Sequence, residues 1–156
     1  MVTYEMFESY KLGLIKQTVA DYSLAFPGPG FYFISEAEVA KKRGIKLYAM
    51  TNTGGLTWDM GTIPYEPMPL QWMKRHQGLR EANGKYGLCG LMESHHYGYW
   101  PSFIGELAKK NFIKENSDLN VNLRNVIKMH FGLENTDEII KALKKCSDAI
   151  ANYTPT

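Results

Sequence analysis

The sequence predicts an α/β chain: the last three β–α units of a (β/α)8 TIM barrel, followed by C-terminal helices. Three observations predict it. Short runs of strand formers alternate with helical stretches three times, the order expected of parallel strands joined by crossover helices. Residues 87–92, GLCGLM, are nearly continuously apolar, which suits a strand buried on both faces. Polar and aromatic clusters fall directly after strands, where a barrel carries its function. Residues 1–113 are read as the C-terminal part of the barrel and residues 114–156 as a post-barrel helical segment.

The elements follow in order. Val2, Tyr4 and Met6 alternate with polar residues, so residues 2–7 read as a strand. After a Gly-containing turn, Tyr22, Leu24 and Phe26 make residues 17–26 look extended. Pro27-Gly28-Pro29-Gly30 is a firm break. Residues 31–43 carry Phe33, Ile34, Ala37 and Ala40 at helical spacing and stop at Gly44. Residues 45–50 are strand formers, and residues 51–69 a long polar and aromatic loop of the length that usually serves function. Residues 70–83 read as a helix burying Trp72, Met73 and Leu79, with Arg75 in a surface ion pair. The apolar strand 87–92 leads into the loop 93–100, and Pro101 opens a helix over 102–112. Residues 119–130 form one amphipathic helix. Another starts at Asn135 or Thr136 and runs to about Tyr153, with Ile139, Ile140, Leu143, Cys146 and Ile150 on one face.

Composition narrows the function classes. The chain has 156 residues, 44% hydrophobic and 22% charged, with a net charge of +2, so no electrostatic footprint for nucleic acid stands out. The run Lys41-Lys42-Arg43 sits where cations favour a helix end. No apolar stretch has the length of a membrane span, and residues 1–8 do not resemble a signal peptide. Cys89 and Cys146 read as small buried hydrophobes, consistent with a reducing, cytoplasmic setting. Aromatics make up 13% of the chain and crowd into the loops. No glycine fingerprint for a dinucleotide follows any strand, so no cofactor is expected.

Two loops carry the candidate chemistry. Glu93 follows the apolar strand directly, with His95, His96, Tyr97 and Trp100 close behind. A carboxylate accepts bonds from hydroxyls or acts as acid or base, and an aromatic face covers a sugar ring, so the constellation suits carbohydrate. Glu93 is the candidate catalytic carboxylate, and Asn52, Trp58, Asp59, His95, His96, Tyr97 and Trp100 the candidate substrate contacts. Trp58 reads equally as a stacking platform or a plug under its loop, and Asp59 as a ligand or a loop cap. Gly54-Gly55 lets the backbone approach a ligand or turn tightly. Asp21, Tyr22 and Glu8 carry weaker signals. Adjacent histidines rarely reach one ion, and Glu-Ser-His-His is no established zinc spacing, so no metal is assigned; a metal-dependent hydrolase using Glu93 with His95 or His96 stays as an alternative.

The stretches KLYAMTNTGGLTWDMGTIPYEPMPLQWMKR and GLMESHHYGYWPSFIGELAKKNF together resemble the C-terminal barrel portion of bacterial proteins related to family 20 glycoside hydrolases, the hexosaminidase-like barrels. The tail HFGLENTDEIIKALKKCSDAIANYTPT resembles the helices that follow that barrel. The resemblance implies a hydrolase of O-glycosyl bonds in which Glu93, Trp58 and Trp100 bind substrate. The Asp-Glu pair that catalyses in that family follows an earlier strand and has no counterpart among these residues. The chain is therefore expected to be a fragment of a longer glycoside-hydrolase-like protein, inactive alone and contributing carbohydrate-binding loops. A non-catalytic carbohydrate-binding protein on the same scaffold is the alternative.

Overall fold

A computed structural model describes residues 2–4, 9–12, 15–18, 24–54, 67–93, 102–113 and 117–152. Strand β1 (Val2–Thr3) is followed by an antiparallel pair, β2 (Ser9–Leu12) and β3 (Ile15–Thr18), with Leu12 opposite Ile15. Helix α1 (Phe31–Lys42) leads to β4 (Leu47–Thr51), α2 (Pro69–Tyr86) and β5 (Leu88–Glu93). Three helices close the chain: α3 (Phe103–Ile113), α4 (Leu119–Phe131) and α5 (Thr136–Ile150). Strands β1, β4 and β5 form a parallel sheet in that order.

The expected partial (β/α)8 barrel is overturned. Five helices dominate the described chain, and β1 pairs with β4 over two residues, so β4 and β5 are the one extended parallel pair among the described residues. Helices α1 and α2 cover the sheet, but α3 does not complete a third β–α unit: it packs on α2 and α4. Helix α5 likewise packs on α2 and α4. The sheet face that a barrel would enclose carries Tyr48 and Met92, 47% and 51% exposed.

Local chemistry sets the element ends. Gly44 (φ 66°) follows α1 and Gly87 (φ 74°) caps α2, both in the left-handed region that favours glycine. Pro69 opens α2, where its missing N–H costs nothing. Asp118 caps α4 by accepting from the Asn120 and Val121 amides at 2.7 and 3.2 Å. The start of α2 is capped from a distance: the Leu70 amide donates to Ser147 Oγ of α5 at 3.2 Å.

Three apolar clusters share α2 as a wall. Leu79, Ala82 and Tyr86 join Tyr4, Phe33, Ala37, Leu47, Ala49 and Leu88 under the sheet. Trp72 joins Leu24, Met68, Ile104 and Ile150. Met73 joins Leu107, Leu123, Val126 and Ile127 between the helices. One narrow stripe of α2, including Lys74, Gln77, Glu81 and Lys85, stays exposed. The reading of Cys89 as buried is corrected. A register shift pairs Leu47 with Leu88 but Tyr48 with Gly90, leaving Cys89 as the extra residue of a bulge, and it is exposed. Cys146 is half-buried.

Tyr4 is wedged between two glycines. A Cβ at Gly28 (φ 85°) would overlap its ring, and a Cβ at Gly78, in the middle of α2, would overlap its hydroxyl. Replacing an exposed helical glycine by alanine usually stabilises by about 1 kcal/mol. Here the sign reverses: Gly78→Ala is expected to destabilise by roughly 1–3 kcal/mol through overpacking. Adding Tyr4→Phe, which removes the overlapping oxygen, should recover most of that loss in urea denaturation. An unchanged or raised midpoint for Gly78→Ala alone would refute the wedge.

Candidate functional site

The carboxyl end of the parallel sheet is where ligands meet an open α/β sheet. Thr51, the last residue of β4, pairs with Glu93, the last of β5, so the carboxyl ends of the two strands lie side by side. Asn52 and Thr53 continue from β4 and are buried. Gly54 presses on the start of α3: a Cβ there would lie 3.1 Å from the Gly105 amide nitrogen. That close approach of two backbones leaves no room for a side chain at Gly54.

A row of buried polar residues on α2 holds this end together. Gln71 donates from Nε2 to the Leu24 carbonyl at 3.0 Å. Arg75, fully buried, donates to the carbonyls of Pro27, Asn52 and Phe26, each at 3.3 Å. Its guanidinium carbon lies 5.3 Å from the centroid of the Trp72 ring. Arg75 therefore ties the segment before α1 to the segment after β4, and the surface position expected for it is corrected, since it is fully buried. Among the described residues, Gln71 Oε1 and Trp72 Nε1 are buried without a hydrogen-bond partner. A buried polar atom in that state costs about 1–3 kcal/mol, and both lie in the first turn of α2.

His76 extends the row towards α3 and α4. The Asn122 amide group donates to the Lys110 carbonyl at 3.3 Å and to Asn111 Oδ1 at 2.8 Å. Asn111 then presents its Nδ2 to His76 Nδ1 at 2.8 Å, so that ring nitrogen accepts. The proton is left on Nε2, which donates to the Thr53 carbonyl at 2.6 Å. Burial is the first cause that lowers the His76 pKa from 6.5 to about 4; its bond to Thr53 opposes the shift, while Arg75 and Arg80 reinforce it. A neutral imidazole with both nitrogens engaged positions the loop rather than exchanging protons with a ligand. Arg80 secures the same corner, donating to the carbonyls of Asn111 and Ser117, each at 2.8 Å.

Of the residues singled out in the sequence, Asn52 is brought into this cluster, through its main-chain carbonyl and buried side chain. Glu93 is placed by its backbone alone, at the end of β5. Trp58, Asp59, His95, His96, Tyr97 and Trp100 lie outside the described residues, as do Asp21, Tyr22 and Glu8. Among the described residues no group of three His, Cys, Asp or Glu could hold a metal ion. No described helix is long and apolar enough to cross a membrane. Sequence reasoning missed His76, Gln71 and Asn111. The available signal was a helix with Gln71, Arg75 and His76 on the same turns as Trp72, Met73 and Leu79, leaving little room for a separate polar face.

The His76 pKa fixes a pH dependence. Unfolded, the imidazole takes a proton near 6.5; folded, it stays neutral down to about 4. Between those values the unfolded chain binds more protons, so stability rises with pH through the window and is lost as pH falls from 6.5 to 4. The effect is of the order of 3 kcal/mol. Urea denaturation at a series of pH values should show that slope in the wild type and its flattening in His76→Gln; parallel profiles would overturn it. No known protein family, curated protein or solved structure matches the chain.

Proposed function

We propose that the chain contributes carbohydrate-binding loops to a glycoside-hydrolase-like site at the carboxyl end of its parallel sheet. The observation that carries this reading is the Thr51–Glu93 register. It brings together, at one end of the sheet, the starts of the two segments in which Asn52, Trp58, Asp59, Glu93, His95, His96, Tyr97 and Trp100 are concentrated. Carboxylate and amide groups bind sugar hydroxyls, and indole faces cover the ring. Arg75 and His76 support the reading indirectly, since a ligand loop needs a fixed base and they hold its first residues to α2.

Glycoside hydrolysis uses two carboxylates, and Glu93 supplies one. Carbohydrate binding without hydrolysis is the second reading. It is favoured by the fate of Arg75 and His76, which both bond to backbone carbonyls instead of standing ready for chemistry.

The deciding experiment is titration calorimetry of the chain against mono- and oligosaccharides, with Glu93→Gln and Trp58→Ala beside it. Binding that weakens by more than roughly 1 kcal/mol in either variant supports the site. No binding to any sugar, or binding that ignores both substitutions, would return these loops to a structural role.

A further inference from the structure

A relay of hydrogen bonds joins the segment after β4 to the far end of α3. His76 Nε2 donates to the Thr53 carbonyl, and its Nδ1 accepts from Asn111 Nδ2. Asn111 Oδ1 accepts from Asn122 Nδ2, which also donates to Ser117 Oγ at 2.9 Å and to the Lys110 carbonyl at 3.3 Å. That carbonyl lies in the last turn of α3, where carbonyls have no partner within the helix. Each donor in the relay points the same way, from Asn122 to Asn111 to His76 to Thr53. The direction depends on one condition, that Nδ1 carries no proton.

We propose that the relay is an acid-operated latch, in which a proton on His76 reverses both asparagine amides and withdraws the Asn122 donor from the end of α3. The reversal follows from counting donors. A protonated imidazole donates from both nitrogens and accepts at neither. Nε2 keeps the Thr53 carbonyl. Nδ1–H meets the hydrogens of Asn111 Nδ2, so the Asn111 amide must turn and present Oδ1. Its Nδ2 then faces Asn122 Nδ2, donor against donor, and Asn122 must turn in its own right. Asn122 Oδ1 now accepts from Asn111 and lies where Nδ2 met the Lys110 carbonyl. The Ser117 hydroxyl has one hydrogen, with its oxygen 3.5 Å from the Lys110 carbonyl and 2.9 Å from Asn122, so it serves one of the two oxygens and leaves the other. Arg80 keeps its bonds to the carbonyls of Asn111 and Ser117, so the corner loosens without coming apart.

The surroundings hold the latch shut. On α2, Arg75 and Arg80 repel the added charge. From α3 come Asn111 and the Phe112 ring, whose centroid lies 5.2 Å from that of the imidazole. The segment after β4 brings the Thr53 carbonyl. These are the groups that face the ring among the described residues, and none is acidic. The ring is neutral at pH 7 and takes its proton as the pH falls to about 4.

Heteronuclear NMR of the 156-residue chain, followed from neutral pH down through the titration of the ring, tests the latch. The His76 signals are assigned by their absence in His76→Gln. The expected result is the Nε2–H tautomer at neutral pH, with the Asn111 and Asn122 side-chain amides moving together with the ring. The Asn83 amide, which donates to the Leu88 carbonyl, should stay still. Two variants act on the latch at different points, and circular dichroism shows the range in which each is folded. Asn122→Ala adds no charge and does not touch the ring, but it frees Asn111 to turn; it should raise the proton affinity of His76 about threefold or more. Asn111→Asp gives Nδ1–H an acceptor and should raise that affinity about tenfold or more. An Nδ1–H tautomer, amides indifferent to the ring, or an unchanged midpoint in Asn122→Ala would each overturn the proposal. So would a wild type that unfolds with the ring still neutral, because the latch has to open within the folded chain.

Discussion

The structure depends on the bonds that α2 makes to main-chain carbonyls. A helix shared by three apolar clusters would be expected to be apolar itself, yet Arg75 and His76 are fully buried in it. Burying a cation costs several kcal/mol. Carbonyl dipoles from Phe26, Pro27 and Asn52 offset that cost around Arg75, and His76 escapes it by staying neutral. In return, Leu24, Ala25, Asn52 and Thr53, which lie between elements, are buried, and residues 26–28 and 54 are half-buried. The end of the sheet where a ligand is proposed to bind is therefore built from the helix outward.

The helices were legible because their cause is local. Apolar residues at helical spacing and Gly44 past the end of α1 act through neighbouring backbone, and α1 to α5 fall within a few residues of where periodicity puts them. The barrel was a false extension of a correct pattern. Alternating strands and helices specify parallel pairing but not closure. Whether the third helix returns to the sheet depends on what else competes for its apolar face, and here α4 and α2 take α3. The apolar run around Cys89 misled in the same way, because a bulge shifts the alternation by one residue without any change in composition.

The candidate site was legible by location more than by atoms. The sequence marks Asn52 and Glu93 as strand-end residues, and the register sets their strands' last residues side by side. It gives no sign that the Asn52 carbonyl serves Arg75, because an acceptor on the main chain belongs to every residue type alike. The same holds for Thr53 and His76, which are 23 positions apart. A polar side chain on a helix suggests solvent until its partner is seen.

The sharing of α2 by all three clusters bears on how the molecule comes apart. Trp72 packs with Ile150 at the end of α5, Met73 with α3 and α4, and Leu79 with Tyr4 near the start of the chain. No cluster keeps its wall if α2 melts, and α2 loses the Ser147 cap if α5 leaves. The described helices and sheet thus form one cooperative unit whose boundaries are drawn by contact, and cutting the sequence between α3 and α4 would strip two of the three clusters at once.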